Sequence, residues 1–508
     1  MQRRLQIIHL QFILKGLLIG CIVGIVISAF RWSIEHLLQI WQTIYQTSHQ
    51  QPLILGGIIL INLLLGLIIG GLCRQQPHIM GSGIPEVEGQ LNHQLQLAWW
   101  PLLWRKFVAG ILAIGSGLVL GREGPSIQLG AAIGQGWGEK SETNPANQKV
   151  LLAAGAAAGL AAAFNAPLAS TFFVLEEIYH NFSPLIWMSA LASSLSADFI
   201  SMNIFGLTPV LHLGKVPNFP LQQYWQLIIL GIIIGLCGYL YQKILLAMPS
   251  YYHRFLGRIP RYFHGCLALI LIIPLGYYCP QLLGGGNSLI IQLSSIKWSL
   301  GAIFGVLILR FVFSMIDYGS GLPGGIFLPI LSLGALLGLL VSQLLISWHW
   351  LTPLFCSNFI ILGMASYFAC IGKAPFTAIL LITEMVGSLN HLMPLALTSL
   401  SAYVVVDLLG GAPIYDSLLA KMELDHTLTT FSDNNQFFTL PVFNNSPWAN
   451  QQVRALQWPP HTLLIKIERG EHLLIPNGDT IIQAGDNLIV STNQQGYQQL
   501  QTYVKEKL

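Results

Sequence analysis

"GREGPSIQLG", residues 121–130, sets an arginine and a glutamate side by side among glycines and a proline, between two stretches fit for lipid. The segment has a partner downstream. "GREGPSIQLGAAIG" from Gly121 matches "GIFLPILSLGALLG" from Gly325 at an offset of 204 residues, pairing Gly121 with Gly325, Pro125 with Pro329, Gly130 with Gly334 and Gly134 with Gly338. A second block repeats in the same order at an offset of 208: "GAAAGLAAAFNAPLASTFFVLEE" from Gly155 matches "GMASYFACIGKAPFTAILLITEM" from Gly363. Within it, the spacing from Pro167 to Glu176 equals that from Pro375 to Glu384. Repeated halves interrupted by glycine and proline at matching places point to a transport site near the bilayer midplane.

Composition places the chain in a membrane. Of 508 residues, 53% are hydrophobic and 9% charged, against about 25% charged in soluble domains. No Asp, Glu, Lys or Arg falls between Tyr318 and Gly372 or between Met385 and Val406, and a spanning helix needs about 20 largely apolar residues. Further spans are expected near 12–30, 54–72, 107–120, 150–175, 184–205, 224–242, 265–283 and 294–315. The start "MQRRLQIIHLQFILKGLLIG" has basic residues before an apolar run and no small-residue cleavage site. It reads as retained, with a cytoplasmic N-terminus. A net charge of +3 gives no nucleic-acid footprint. The seven cysteines are scattered through apolar segments without a Cys-x-x-Cys pair, so they read as core-filling, and neither a disulfide framework nor a metal cluster is indicated.

After Lys421 the chain turns polar, and "TLLIKIERG", "EHLLIPNGDT" and "DNLIVST" read as short strands, with Asn477-Gly478-Asp479 as turn and "QQGYQQLQTYVKEKL" as a closing amphipathic helix. The expected layout is a transmembrane region over 1–422, a linker over 423–436 and a soluble α+β domain over 437–508.

Pro125 and Pro329 each precede an apolar, glycine-notched run, and proline is favoured at the first helical position. Each is expected to start a helix whose leading N–H groups lack intrahelical partners and, with the helix dipole, suit an anion. Glycines 121, 124, 324 and 325 let main chain approach without a Cβ in the way. Arg122 and Gly124 flank the expected anion site. "GSGIPE" suggests a third helix start, with Ser82 adding a hydroxyl donor.

Glu123 is the chemically loaded residue, because an intramembrane carboxylate is costly unless paired, neutralised or facing water. One reading is an Arg122–Glu123 ion pair, which needs irregular backbone since adjacent residues point apart. The preferred reading projects Glu123 into the anion site, where the ionised carboxylate mimics the anion and the protonated one leaves. Glu176 and Glu177 close an apolar run, and Glu384 is the counterpart of Glu176; they read as a solvated helix end, as partners of basic residues, or as a second proton relay. Arg310, Asp317 and Lys373 read as members of structural pairs, and Tyr415 as an interface anchor ending the last span.

Together "GSGIPE" (81–86), "GREGP" (121–125), "GGIFLP" (324–329), "AAAFNAPLA" and "GGAPIY" resemble the CLC chloride channel and chloride/proton exchanger family, from about residue 10 to 422. The resemblance implies an all-α polytopic membrane protein with inverted internal repeats and broken helices, assembled as a homodimer with one anion pathway per subunit. It implies that Ser82 and Tyr415 donate hydroxyls to a central chloride, that the amides of Ile326 and Phe327 complete its cage, and that Glu123 is the external gate. Glu177 takes the place of the internal proton glutamate of the family's exchangers, which favours exchange over passive conduction. The tail segment "LLIPNGDTIIQAGDNLIVST" resembles the C-terminal domain of TrkA-type potassium-transport regulators, implying a cytoplasmic regulatory or ligand-sensing module. A prokaryotic inner membrane is the expected location.

Three other functions are weaker. A passive chloride channel shares the architecture. An intramembrane serine protease built on Ser82 or Ser116 lacks a nearby histidine, since His349 and His391 lie far along the chain. Potassium sites want carbonyl or carboxylate oxygens, whereas these motifs supply N–H and O–H donors.

Overall fold

Glycine and proline punctuation cuts the apolar chain into helices that recur in order. The structure, a computed structural model, describes residues 2–48, 50–51, 53–92, 94–179, 182–214, 216–295, 298–427, 436–442, 446–460, 462–469, 472–492, 496 and 499–500. It divides into two units: Met1–Val87 with Ala98–Leu419, and Glu88–Leu97 with Ala420–Leu508.

One repeat comprises α1 (Gln2–Ser48), α2 (Leu53–Gln75), α3 (Ile84–Leu91), α4 (Trp99–Gly115), α5 (Glu123–Ser141), α6 (Pro145–Phe164), α7 (Pro167–Phe173) and α8 (Pro184–Phe205), all in the first unit but for the end of α3 from Glu88. The other comprises α9 (Tyr224–Leu256), α10 (Gly265–Tyr278), α11 (Asn287–Ser295), α12 (Leu300–Gly319), α13 (Phe327–Ser347), α14 (Cys356–Gly372), α15 (Pro375–Val386) and α16 (Leu392–Leu408), and α17 (Ile414–Thr427) follows. The offsets read from the sequence carry into the fold: α5 and α13 start 204 residues apart, α7 and α15 start 208 apart. The protein is a multi-pass membrane protein with inverted, helix-broken repeats.

Among the described residues nine helices are long and apolar enough to cross a membrane. Glycine, alanine and polar residues keep α5 and α6 out of that set, yet α6 is buried without a break from Val150 to Phe164. Lipid-facing leucines belong instead to peripheral helices such as α2, which exposes Leu60, Leu64 and Ile68.

Several expected spans are corrected. The 150–175 run is broken: α6 ends at Asn165, whose φ of 55° is left-handed, and α7 restarts at Pro167. The second repeat breaks identically at Lys373 (φ 60°) before Pro375. A left-handed residue followed two places on by proline ends one helix and starts another, however apolar the surroundings. The 107–120 run ends as helix at Gly115, 265–283 ends at Tyr278, and 294–315 lies at Leu300–Gly319. Pro125 and Pro329 sit third in their helices, not first, still within the turn where the missing N–H costs nothing.

Small residues bring these helices together, as expected where lipid removes the hydrophobic drive between helices. A Cβ on Gly130 would collide with the carbonyl of Gly155, and one on Gly155 with that of Gly130. The second repeat has the same reciprocal crossing between Gly334 and Gly363.

The second unit carries an antiparallel sheet of β1 (Gln436–Pro441), β2 (Leu463–Arg469), β3 (His472–Leu474) and β4 (Asp486–Thr492), in the order β1-β4-β2-β3. Its core gathers Leu440, Val442, Trp448, Ile467, Ile482, Leu488 and Val490. Asp486 is buried and accepts from Arg469 Nε and Nη2 at 2.7 Å each; those hydrogen bonds raise the guanidinium above its ordinary pKa. The expected turn is present, with Asn477 Oδ1 accepting from the Asp479 amide at 3.1 Å. Strand β1 escaped the sequence reading because its partner lies far downstream. Of the expected closing helix at 494–508, residues 496 and 499–500 are described and helical; its other residues and most of the expected linker lie outside the described residues.

Candidate functional site

The loops that lead into α5 and α13 meet. Gly121 donates to the Gly325 carbonyl and Gly325 to the Gly121 carbonyl, both at 2.6 Å, forming an antiparallel bridge between the repeats. Two helices that leave a shared two-residue bridge present their N-terminal amides to the same region. The loop before α3 joins them: Gly324 donates to the Gly81 carbonyl at 3.0 Å and Gly81 to the Gly321 carbonyl at 3.3 Å. A Cβ on Gly124 would lie 2.7 Å from the Ser82 carbonyl oxygen, so only glycine admits Ser82 there. All three expected helix starts therefore converge.

A buried cation fixes the Ser82 loop from behind. Lys106 Nζ donates to the carbonyls of Ile79 and Gly81 at 2.9 Å each. The second repeat uses Arg310, 204 residues on, whose guanidinium donates to the carbonyls of Leu282 (3.1 Å), Gly284 (2.7 Å) and Gly285 and to Ser332 Oγ (3.0 Å). Of the residues read as members of structural pairs, Arg310 clamps carbonyls, and Asp317 Oδ2 accepts from the Val119 amide at 2.6 Å. Lys373 does pair, with Asp407 at 2.5 Å.

Among the described residues, no backbone carbonyl accepts from the amides of Ile326, Phe327 and Leu328. Glu123 is fully buried and neither of its carboxylate oxygens makes a hydrogen bond. Its position follows from Gly121: a Cβ there would overlap Glu123 Oε2 and lie 3.2 Å from the Leu328 nitrogen. The carboxylate therefore lies over Gly121, beside the open amides of α13. The Arg122–Glu123 pair does not form. Arg122 Nη1 donates to Glu35 Oε1 of α1 at 2.5 Å, and Arg31 Nε donates to the same oxygen at 3.1 Å.

Ser82 is buried, and its Oγ accepts from the Ile84 amide at 3.1 Å, which leaves the hydroxyl proton to donate elsewhere. Tyr415 corrects the interface-anchor reading, because it lies in α17, beyond the last span, and is fully buried with a hydroxyl that has no partner. Its ring stands edge-on to Phe173, and Phe173 in turn meets Phe327, both at 6.3 Å between centroids. Phe327 also packs on Phe368 at 4.3 Å and Phe164 at 5.1 Å. These rings form an apolar surround beside the α13 start.

Glu177 sits in a π-turn, Val174–Ile178, closed by the Tyr179 amide donating to the Val174 carbonyl at 2.8 Å. Such wide turns are rare and concentrate at functional positions. Its Oε1 is buried without a hydrogen bond, 3.9 Å from where a Cβ on Gly372 would lie. Glu176 and Glu384 are neither solvated ends nor partners of basic residues. Glu176 caps α15, accepting from the Phe376 amide (3.4 Å), the Thr377 amide (2.7 Å) and Thr377 Oγ1 (2.5 Å). Glu384 caps α7, accepting from the amides of Leu168 (3.2 Å) and Ala169 (2.8 Å). Each repeat thus caps the other. Sequence reasoning missed Glu35, Arg31 and Lys106, each of which is tied to the site by a partner remote in sequence.

Residues 65–407 match the family described as voltage gated chloride channel, and residues 438–505 match the TrkA-C domain. The H(+)/Cl(-) exchange transporter ClcA of Citrobacter koseri is 34% identical over 420 residues, 81% of this chain and 89% of that protein. Its namesake from Salmonella arizonae is 34% identical over 424 residues, with the same coverage of 81% and 89%. The crystal structure of a slow cyanobacterial Cl-/H+ antiporter aligns with a TM-score of 0.76 at 32% identity, covering 82% of this chain and 99% of its own. A eukaryotic CLC transporter aligns with a TM-score of 0.70 at 22% identity over 81% of this chain and 74% of its own, a likeness of fold. With that match spanning most of its transmembrane region, the chain belongs to the voltage gated chloride channel family.

Proposed function

We propose that this protein is a secondary active antiporter exchanging chloride for protons, with Glu123 as gate and proton carrier. The observation that carries the reading is the fully buried Glu123 carboxylate, beside amides at the start of α13 that no backbone carbonyl accepts from. Helix N-termini favour negative charge, so an ionised carboxylate and a chloride ion compete for one place. Protonation ends that competition: the neutral acid gives up the amides and the anion takes them. One side chain therefore moves in exchange with the anion while carrying the proton, which couples the two fluxes.

The Ser82 and Tyr415 hydroxyls and the amides of Ile326 and Phe327 are the donors that hold the dehydrated chloride in this reading, with Gly124 leaving room for main chain and Arg122 adding positive charge nearby. Glu177, in its π-turn, relays the proton on the other side. The protein works as a homodimer in a bacterial inner membrane, with the N-terminus and the TrkA-C domain cytoplasmic and the latter sensing a small ligand. Names and titles of relatives, among them H(+)/Cl(-) exchange transporters, support exchange.

The deciding experiment uses purified protein in liposomes under a chloride gradient, with external pH and chloride followed together. An exchanger drives proton movement uphill in step with chloride. Chloride flux that leaves pH unaffected makes the protein a passive channel instead.

A further inference from the structure

Arg122 has more hydrogen-bonding capacity than the surrounding protein uses. Its side chain is 6% exposed, one nitrogen donates to Glu35, and Nε and Nη2 are buried without a partner. Beside it, Arg31 donates through Nε to Glu35 at 3.1 Å and through Nη1 to Asn165 Oδ1 at 3.1 Å, and stacks over the Phe205 ring with its guanidinium carbon 3.9 Å from the centroid. Two guanidinium groups thus share one carboxylate, and the cluster keeps a surplus positive charge. Glu35 is the least enclosed member, with its side chain 39% exposed. Buried N–H donors of an ionised group left unmade are costly, and Arg122 keeps two of them beside the carboxylate it shares with Arg31.

We propose that Arg31 and Arg122 form a second anion site, occupied in this structure by the Glu35 carboxylate, which a small monovalent anion displaces on its way to the place beside Glu123. Glu35 is then a positioning residue that sets the affinity for the entering anion. A guanidinium donates to carboxylate and halide through the same N–H groups, so an incoming anion takes over the donors that Glu35 gives up. Arg122 precedes Glu123 directly in the chain, so the two sites share one stretch of backbone. The inference rests on the anion-transport reading.

The test is Glu35→Gln, which keeps size and removes charge, with Glu35→Asp as the variant that keeps charge. Chloride is titrated calorimetrically into detergent-solubilised wild type and variants at constant ionic strength, and chloride-dependent turnover is measured in liposomes. Glu35→Gln is expected to lower both the Kd and the KM for chloride by roughly three- to tenfold, the size of one partly screened charge, with kcat changed less than KM. Glu35→Asp is expected to stay near wild type. Unchanged Kd and KM in a Glu35→Gln protein that melts normally, a loss of kcat alone, or Glu35→Asp behaving like Glu35→Gln overturns the proposal. If the wild type moves no chloride, the antiporter reading falls while the calorimetry still decides this site.

Discussion

Where the first repeat has Glu123, the second has Phe327 at the offset of 204; where the first has Glu177, the second has Met385 at the offset of 208. Arg122 likewise faces Ile326. Other charges are duplicated. Lys106 and Arg310 each clamp loop carbonyls, and Glu176 and Glu384 each cap a helix of the opposite repeat. The difference sorts the buried charges of this protein into two kinds. A charge present in both repeats solves a problem both backbones share: a loop full of carbonyls, or a helix end with open amides. Asp317 apart, which holds the Val119 amide where the first repeat has Ala113, a charge present in one repeat solves no backbone problem, since the other repeat folds the same way without it. Glu123, Glu177 and the Arg122–Glu35 cluster are of this second kind, and the proposed chemistry falls on them.

The sharpest way to break this comparison is to remove a single-copy charge. Glu123→Ala is expected to abolish proton movement down to the leak of empty liposomes while chloride still flows, and to leave thermal stability unchanged or raised, because an unpartnered buried carboxylate disfavours the fold. Coupling that survives in Glu123→Ala removes the residue from the mechanism. A strong loss of stability moves it to the scaffold.

Smaller effects are expected where both repeats share a feature. Gly130→Ala and Gly334→Ala each drive a methyl into a facing carbonyl, of Gly155 and Gly363 respectively, and each is expected to destabilise the protein by about 1–3 kcal/mol through overpacking. Unfolding of the purified protein should report nearly equal losses, with the coupling ratio of the surviving fraction unchanged. If one substitution is silent, the two crossings are not equivalent and the repeat symmetry is only nominal.

Much of this division was legible in sequence because its signals are local. Glycine and proline spacing located three helix starts that converge, and it aligned the repeats well enough to pair Glu176 with Glu384. It failed where the deciding partner is remote. The break after Asn165 hides inside an apolar run, since its cause is one left-handed residue and not a change of composition. Glu35 carries no motif, and Arg122 reaches it across 87 positions. Tyr415 resembles any tyrosine near the end of a span until packing on Phe173 shows it enclosed. The caps of Glu176 and Glu384 span 201 and 215 positions, so an acidic pair at a helix end could be read only as solvated, basic-paired or proton-carrying.

Those caps give the finest test. Glu176→Gln and Glu384→Gln each replace a carboxylate at a helix N-terminus by a neutral amide that keeps one acceptor oxygen, and losing a cap costs about 0.5–2 kcal/mol. Glu176 should lie toward the upper end, because it also holds Thr377 Oγ1, whereas Glu384 holds two amides only. The helices they cap touch through Phe172 and Phe376, edge-on at 4.9 Å, so the two losses should not add fully: once one helix end has loosened, the opposite cap has less to hold. A double-mutant cycle in detergent unfolding measures this directly. Full additivity would make the caps independent features of each repeat. A cost for Glu176→Gln with none for Glu384→Gln would remove Glu176 from the duplicated scaffold and set it with its neighbour Glu177 among the charges that only one repeat possesses.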